Sequence, residues 1–307
     1  MVARMRPPRA LSAPIATPRA RALASALACA VVAAGFVAAA PGASEASTAP
    51  CRVVANPTPA RHTVCRNMNL RGIDLAGRNL RYAEFTGSSM QRANLARADL
   101  RGAQMQLANL TQANLAQARA AGARMTAVGL TQANLSGADF TGARLNGMVF
   151  FTNANLTGAV FAGANLTNAF LRGATVSGAD FTGARLRGVG GVNTVGQPVA
   201  VPAGWRVVQG TFAGPGANMW NATFTNADLS GIDLTGASLI YVSMLGNTTL
   251  LGTPMIGTAQ AGMTWSWDFS ANGGAGGPDG GTVTCPNGAP ATPGYASGLP
   301  GAAPVGC

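Results

Sequence analysis

The sequence is dominated by an apolar residue that returns at every fifth position. An alanine stands two positions before most of these residues, as in the units A-N-L-A-R and A-D-L-R-G that begin at Ala93 and Ala98. Successive leucines at this period would lie roughly 140° apart on an α-helix and on alternate faces of a flat strand. The pattern therefore predicts a chain that bends once per unit, with the central residue and the alanine pointing inward. Between residues 93 and 117 the central residues are Leu95, Leu100, Met105, Leu110 and Leu115.

The period of five extends over about half of the chain and slips once. Central residues run from Leu70 to Leu145 and then from Phe151 to Leu186. Six residues separate Leu145 from Phe151, so we expect the extra residue, near Met148, to form a bulge at a corner. Ala120 occupies a central position and is small for it.

The A-(N/D)-L-x-x units resemble the pentapeptide-repeat family. The resemblance implies an all-β fold, a right-handed quadrilateral (four-sided) β-helix solenoid of pentapeptide repeats, here interrupted by a short hairpin insert. Four repeats per coil would stack residues that are 20 apart, so Asp99, Arg119 and Asp139 should share one face. Most members of the family have no assigned activity, and some mimic DNA and inhibit gyrase. The resemblance therefore implies a scaffold more strongly than it implies any one ligand.

Changes in composition divide the chain into segments. Arginine replaces the alanine at Arg78, so we interpret the first coil as an end cap, which an open solenoid needs. The stretch from Pro202 to Asn218 and the cysteine-containing tail resemble segments of exported family members, and Trp205–Phe212 predicts a hairpin that turns near Gln209-Gly210. The expected segments are a signal peptide (1–46), an N-terminal cap with a cysteine pair (47–67), the repeat β-helix (68–187), an insert (188–216), a second repeat block (217–256) and a Gly/Pro-rich tail with a cysteine pair (257–307).

Residues 1–46 have the features of a secretory signal. Five arginines precede an apolar run from Ala22 to Ala40, and small residues then offer an A-x-A-like cleavage site before Ser47. The alternative is a membrane helix that is retained, although the alanine-rich run is marginal in length for a span. We expect an exported protein, periplasmic or secreted, without a transmembrane anchor after cleavage.

Four cysteines remain in the expected mature chain, and four cysteines allow three pairings. Proximity along the chain favours Cys51 with Cys65 and Cys285 with Cys307, and export favours disulfides over free thiols. The spacings fit no zinc pattern, and His62 is the single histidine. We expect no metal and no cofactor, and we expect His62 to be a solvent-facing loop residue without a partner.

The mature chain would carry 16 arginines against 9 acidic residues, a formal charge of +7, and it contains no lysine. An N-terminal group of these arginines could attract a cell-wall polymer, lipopolysaccharide or, without specificity, nucleic acid. The alternative is a charged coat that keeps an apolar repeat soluble. The candidate anion-binding residues are Arg71, Arg81, Arg92, Arg97 and Arg101.

Three hypotheses for the function follow. The first is an exported, non-catalytic scaffold or binding module, with an anionic envelope polymer or another protein as its partner and no catalytic residues. The second is a β-helix enzyme or binder that acts on envelope polysaccharide, and an enzyme would need clustered carboxylates. The third is a DNA mimic that inhibits topoisomerase, which requires an acidic surface and a cytoplasmic location. A sugar-stacking surface would instead use the tryptophans, Trp205, Trp220, Trp265 and Trp267.

Overall fold

The structure, a computed structural model, describes residues 51–256, residue 258 and the backbone of Thr264–Ser266. The expected signal peptide (1–46) and the expected pair Cys285 and Cys307 lie outside the described residues. Within the described part of the chain, no helix has the length and hydropathy needed to cross a membrane. The strands are short: β1 (Arg206–Val208), β2 (Thr211–Ala213), β3 (Thr223–Thr225), β4 (Ser243–Leu245) and β5 (Thr264–Ser266).

Parallel bridges between residues 20 or 21 apart organise the backbone from Val64 to Ala200. They form four ladders, one for each of the four pentapeptide units in a coil, and the stacked coils make a β-helix. The predicted register is confirmed, because Arg119 bridges to both Asp99 and Asp139. The first ladder runs from Val64 to Arg185, the second from Asn69 to Gly190, the third from Asp74 to Val195, and the fourth from Asn79 to Ala200.

The sequence of one unit explains its shape. The Ala98 amide donates to the Leu95 carbonyl at 3.0 Å, and Arg97 has a φ of +58°, so Leu95–Ala98 forms a type II turn. The ladder residue before the central residue is often Asn or Asp because its side chain accepts a hydrogen bond from the backbone two positions later. Asn94 Oδ1 accepts from the Ala96 amide in this way, at 3.3 Å. Each unit therefore supplies its own turn.

The core is a single column of side chains inside the coils. The central residues and the alanines two positions earlier are buried along the regular repeats, as the sequence predicts. Stacked rings fill the fourth-ladder side of the upper coils: the ring centroids of Phe140 and Phe161 are 5.3 Å apart, and those of Phe161 and Phe181 are 5.1 Å apart. Ala120, the small central residue below Phe140, is also completely buried.

The extra residue between Leu145 and Phe151 is accommodated at a corner. Gly147 and Met148 have φ values of +74° and +56°, and the Met148 side chain is exposed. The bridge from Gly129 then reaches Phe150, 21 residues later, and the period of 20 returns with the bridge from Phe150 to Phe170. The slip therefore lengthens one coil without breaking any ladder.

The stack begins earlier than the sequence indicates. Thr63 and Cys65 are buried in the positions that alanine and leucine hold in later units, and the Cys65 amide donates to the Glu84 carbonyl at 2.8 Å. The boundary expected at residue 68 is therefore one unit late, because Thr and Cys do not match the repeat pattern. Residues 51–61 precede this unit, and Cys51 and Val53 pack against the core.

The stack also continues into the region expected to be the insert. Gly190, Val195 and Ala200 bridge to the coil below, so this coil keeps three of the four ladders although its sequence has lost the repeat. The predicted hairpin is present, with β1 and β2 antiparallel and Gln209-Gly210 at the turn. A Cβ on Gly191 would lie 2.5 Å from Phe212 Cδ2, so the hairpin fills a core position that the coil leaves empty.

The second repeat block resumes the parallel register above the hairpin. β3, β4 and β5 pair in parallel, with Phe224 opposite Met244 and Met244 opposite Trp265. Gln209, at the hairpin turn, connects this block to the coil below: its side-chain amide accepts from the Thr225 amide at 2.9 Å and donates to the Thr225 carbonyl at 2.6 Å. The Gln209 side chain thus makes the pair of hydrogen bonds to Thr225 that the backbone of a neighbouring strand would otherwise make.

Candidate functional site

The predicted N-terminal arginines are distributed over three ladders. Their positions follow from the bridge residues, because each arginine stands two or three residues after a bridge residue of its ladder. The structure therefore does not bring the five guanidinium groups together on one face. Arg71 and Arg92 belong to the second ladder, Arg97 to the third, and Arg81 and Arg101 to the fourth.

Several of these arginines already have partners. Arg92 Nε donates to Gln112 Oε1 at 2.9 Å, and Arg97 donates in the same way to a glutamine one coil above. Arg101 Nε donates to Asp99 Oδ1 at 2.8 Å, and its hydrogen bonds hold the pKa of the Asp99 carboxyl below its usual value. Arg81 lies over the Tyr82 ring, 5.4 Å from the centroid. Of these contacts, only the pair with Asp99 compensates a positive charge, whereas the glutamine and tyrosine contacts orient guanidinium groups that stay charged.

Glu84 is surrounded by His62 and Arg66 from the cap and by Gln104 from the coil above. His62 Nε2 lies 3.2 Å from Glu84 Oε1, Gln104 Nε2 donates to the same oxygen at 3.4 Å, and Arg66 pairs with the other oxygen. The expectation that His62 has no partner is therefore wrong. It failed because the cap folds back over the coil that contains Glu84, 22 residues further along the chain. This carboxylate is held by Arg66 and contacts His62, and it thereby joins the cap to the stack.

A disulfide joins Cys51 to Cys65, with their Cα atoms 5.2 Å apart. Cys65 is the central residue of the lowest unit, so the bond attaches the start of the described chain directly to the core. The Val54 amide donates to Thr63 Oγ1 at 3.0 Å and supports the same connection. This is the first of the two expected disulfides.

The tryptophans do not form one described surface. Trp205 is buried against the hairpin, and a Cβ on Gly214 would lie 2.3 Å from its Cδ2. Trp220 contacts Tyr241 edge to face, with ring centroids 6.5 Å apart. The side chains of Trp265 and Trp267 lie outside the described residues.

The first ladder brings together three arginines that the sequence alone did not single out. Arg124, Arg144 and Arg185 are exposed ladder residues, and Asn165 lies between the last two. We name these four residues the arginine column. Successive ladder residues are separated by about 4.8 Å, so Arg144 and Arg185 are about 10 Å apart along the stack. Spacings of 20 and 41 residues could have revealed the column, had the slip at Met148 been included.

The charge of the arginine column is not compensated locally. Among residues 51–256, no carboxylate forms an ion pair with Arg124, Arg144 or Arg185. Beside them lies a cleft of about 430 Å³, lined by Arg144, Asn165 and Arg185 together with Gly142, Ala143, Asn146 and Gly163. Guanidinium groups in this arrangement can hold carboxylate or sulfate groups through paired hydrogen bonds.

The part of the chain that the structure describes contains no cluster of side chains that could bind a metal ion. Within the described ranges, no three side chains of His, Cys, Asp or Glu lie close enough to hold a metal ion. Several carboxylates accept hydrogen bonds from their own turn instead. Asp180 accepts from the Thr182 hydroxyl and amide, and these bonds lower the pKa of the Asp180 carboxyl. Asp233 is held by Thr235 in the same way, with the same direction of pKa shift.

The solved structures that resemble this chain include pentapeptide-repeat proteins. A pentapeptide repeat protein from the Arabidopsis thaliana thylakoid lumen is 33% identical over 34% of this chain and 68% of its own, with a TM-score of 0.27. Full-length QnrB1, a plasmid-mediated fluoroquinolone resistance protein, is 17% identical over 68% of this chain and 86% of its own, with a TM-score of 0.22. HetL is a pentapeptide repeat protein involved in heterocyst differentiation regulation from the cyanobacterium Nostoc sp. strain PCC 7120. It is 22% identical over 74% of this chain and 91% of its own, with a TM-score of 0.21.

No curated protein matches the chain. The family profile described as "Pentapeptide repeats" does match, in eight copies over residues 65–106, 108–147, 151–188 and 215–244. These ranges begin at Cys65, where the stacked coils begin, and they include units on both sides of the hairpin coil. The profile and the 20-residue bridges agree, and the chain belongs to the pentapeptide-repeat family.

Proposed function

We propose that this protein is an exported, non-catalytic binding scaffold that holds an anionic polymer of the cell envelope along its arginine column. In this proposal the stacked coils form a right-handed, four-sided β-helix. The coils supply a rigid frame, and the outward residues of the first ladder supply the contacts. The partner is defined by its chemistry: a chain with repeated carboxylate or sulfate groups.

The observation that supports this function best is the uncompensated arginine column. Arg124, Arg144 and Arg185 lie on one ladder, are exposed and have no ion-pair partner among the described residues. Arg101, by contrast, is paired with Asp99 inside its own coil. Uncompensated charges in a row attract a polyanion and lose affinity as salt increases. The five N-terminal candidates are spread over three ladders, so the column, with three such charges on one ladder, is the better candidate anion site.

The environment of the carboxylates supports a non-catalytic role. General acid catalysis near neutral pH needs a carboxyl group with a raised pKa. The pKa values of Asp180, Asp228 and Asp233 are instead lowered. The main cause in each case is a hydrogen bond from the Thr or Ser two residues later. These carboxylates stay ionised and stabilise turns. They are poorly suited to donate a proton to a glycosidic oxygen.

Two features support export, one before the expected cleavage site and one after it. The segment 1–46 has the charge and hydropathy pattern of a signal peptide, and the Cys51–Cys65 disulfide suits an oxidising compartment. Expression in a bacterium followed by fractionation and N-terminal sequencing should find protein beginning at Ser47 outside the cytoplasm. Full-length protein in the cytoplasm would contradict export without affecting the binding proposal.

Titration with polygalacturonate, a linear polymer that carries a carboxylate on each sugar, tests the binding role. We expect binding at 50 mM salt that weakens about tenfold or more by 200 mM salt, because the contacts are electrostatic. The length of the polymer should be unchanged after prolonged incubation. Shortened polymer would indicate an enzyme, and absence of binding at low salt would leave only a structural scaffold.

A further inference from the structure

The first ladder is interrupted where the hairpin leaves the stack. Its last bridge is at Arg185, whereas the second ladder continues above the hairpin coil, where the Asn218 amide donates to the Val189 carbonyl at 2.9 Å. Ala213 stands five residues before Asn218, the spacing that would place it on the first ladder. It pairs with Arg206 in the β1–β2 hairpin instead. The hairpin therefore removes the residue that would continue the first ladder above Arg185.

This interruption leaves two backbone groups open. One coil lower, the Arg185 amide donates to the Ala164 carbonyl and the Arg185 carbonyl accepts from the Leu166 amide, both at 2.9 Å. The equivalent groups above Arg185 are the Ala184 carbonyl and the Leu186 amide, and neither forms a hydrogen bond with a described residue. A parallel bridge pairs one residue of a neighbouring strand with two such groups. The first ladder thus has an open place for one residue of an extended chain.

The open place borders a cleft of about 580 Å³. The cleft is lined by Ala184 and Leu186, by the buried indole of Trp205, and by Arg185 and Arg187. A ligand in this cleft would therefore meet a backbone donor, a backbone acceptor, an aromatic wall and two guanidinium groups.

The charge in the cleft favours an acidic ligand. Arg185 and Arg187 are exposed, and neither forms an ion pair within the part of the chain that the structure describes. The Asp233 carboxylate, in the coil above, accepts a hydrogen bond from the Thr235 amide at 2.8 Å. Guanidinium groups bind carboxylates strongly and with defined geometry.

We propose that this cleft binds an extended acidic peptide segment of a partner protein, which adds one bridge to the first ladder. The bridging residue donates its N–H to the Ala184 carbonyl and accepts from the Leu186 amide. Its side chain lies outward beside Arg185, because alternate residues of a strand face opposite sides, and a carboxylate there reaches a guanidinium group. The neighbouring apolar side chains point inward, toward Trp205. This interaction goes beyond the proposed binding of an envelope polymer and does not depend on it.

The pair of open groups favours a peptide over a simple anion. An inorganic anion or an isolated carboxylate could accept from the Leu186 amide, but it has no donor for the Ala184 carbonyl. A peptide residue satisfies both groups at once, and a polar backbone group that is buried without a partner is costly. The arginines then select acidic segments among the possible peptides.

A blocked hexapeptide of alternating glutamate and valine tests the pairing. We expect it to bind the wild type at 50 mM salt and to slow hydrogen exchange of the Leu186 amide. N-methylation of its glutamates removes the donor for the Ala184 carbonyl and should weaken binding about tenfold. N-methylation of its valines is the matched control. These N–H groups point away from the ladder in the proposed bridge, so the affinity should stay within about threefold.

A charge reversal in the protein tests the location. Arg187→Glu should weaken binding of the hexapeptide about tenfold or more, because it replaces an attractive charge in the cleft by a repulsive one. The matched control is Arg172→Glu. Arg172 is also exposed, and it follows the second-ladder residue Phe170 by two positions, as Arg187 follows Arg185. The control should bind within about twofold of the wild type, and thermal melts of both variants should match, so that lost binding is not lost folding.

The outcomes separate this inference from the proposed function. Equal losses in Arg187→Glu and Arg172→Glu would show general attraction of charge and overturn the cleft. Equal affinities of the two methylated peptides would overturn the backbone pairing. Wild-type protein that binds polygalacturonate but not the hexapeptide would overturn this inference and keep the proposed function. Wild-type protein that binds only the hexapeptide, with the expected loss in Arg187→Glu, would support the cleft and contradict the polymer.

Discussion

The regular coils of residues 93–145 and the hairpin coil of residues 188–218 keep the same ladders by different means. In the regular coils each unit brings its own inward leucine, its alanine and its turn, so the structure follows from local sequence. In the hairpin coil, Gly191 has no side chain to contribute, and Phe212 reaches the core from 21 residues later. A ladder of bridges can therefore continue where the repeat sequence has ended, provided that another segment supplies the missing core side chain.

The largest effect should come from the residue that restores the hairpin coil. Phe212→Ala removes a completely buried ring that contacts Phe181 edge to face at 5.4 Å. We expect a loss of about 3–5 kcal/mol in the free energy of unfolding, measured by denaturant titration. Gly191→Leu in the same variant should recover part of this loss, because it returns the regular side chain to the empty position. A double variant less stable than Phe212→Ala would show that the two positions are not equivalent.

A regular coil should tolerate the loss of one leucine slightly better. Leu110 is completely buried between neighbouring coils, and Leu110→Ala should cost about 2–5 kcal/mol by the same titration. Ala120 marks the opposite case, because a small residue already occupies a central position there. Ala120→Leu should be tolerated or stabilising. Unchanged stability of Leu110→Ala would contradict the inward assignment.

A smaller effect is expected where a side chain replaces backbone. Gln209 makes two hydrogen bonds to Thr225 across the hairpin coil, and Gln209→Ala should cost about 1–2 kcal/mol. Hydrogen exchange should show faster exchange of the Thr225 amide in this variant, with little change in residues 93–145. Faster exchange in the regular coils would mean that the hairpin coil supports the whole stack.

The smallest effect concerns pH in the lower coils. The folded-state pKa of Asp99 is lowered, mainly by its hydrogen bond with Arg101, so its contribution is present above the unfolded pKa and is lost as pH falls through the folded value. The difference in melting temperature between the wild type and Asp99→Asn should shrink from pH 7 to about pH 3. A difference that grows as pH falls would contradict the sign of the shift.

The five-residue spacing of the repeats determines which parts of the fold could be predicted from the sequence. The inward leucines, the corner at Met148 and the stacking of Asp99, Arg119 and Asp139 follow from spacing and from the family resemblance. Cys65 was missed as a core residue because it does not look like a repeat centre. Contacts between distant segments, such as Phe212 filling the space at Gly191, have no periodic signal.

The candidate site was harder to predict for a related reason. The N-terminal arginines are clustered along the chain, and the coil distributes them over three ladders. Arg124, Arg144 and Arg185 are far apart along the chain, and the coil brings them into one column. Density of charge in sequence is therefore a poor guide to density of charge on a solenoid. Ladder position, with the one-residue slip included, is the better guide.

The most direct test compares two variants that remove equal charge from different ladders. Arg144→Gln/Arg185→Gln alters the arginine column, and Arg81→Gln/Arg101→Gln alters the fourth ladder. Polygalacturonate affinity at 50 mM salt should fall about tenfold or more in the first variant. In the second it should stay within about twofold of the wild type, because Arg101 is already paired with Asp99. Equal losses in both variants would show that net charge alone governs binding, and the larger loss in the second would contradict the arginine column.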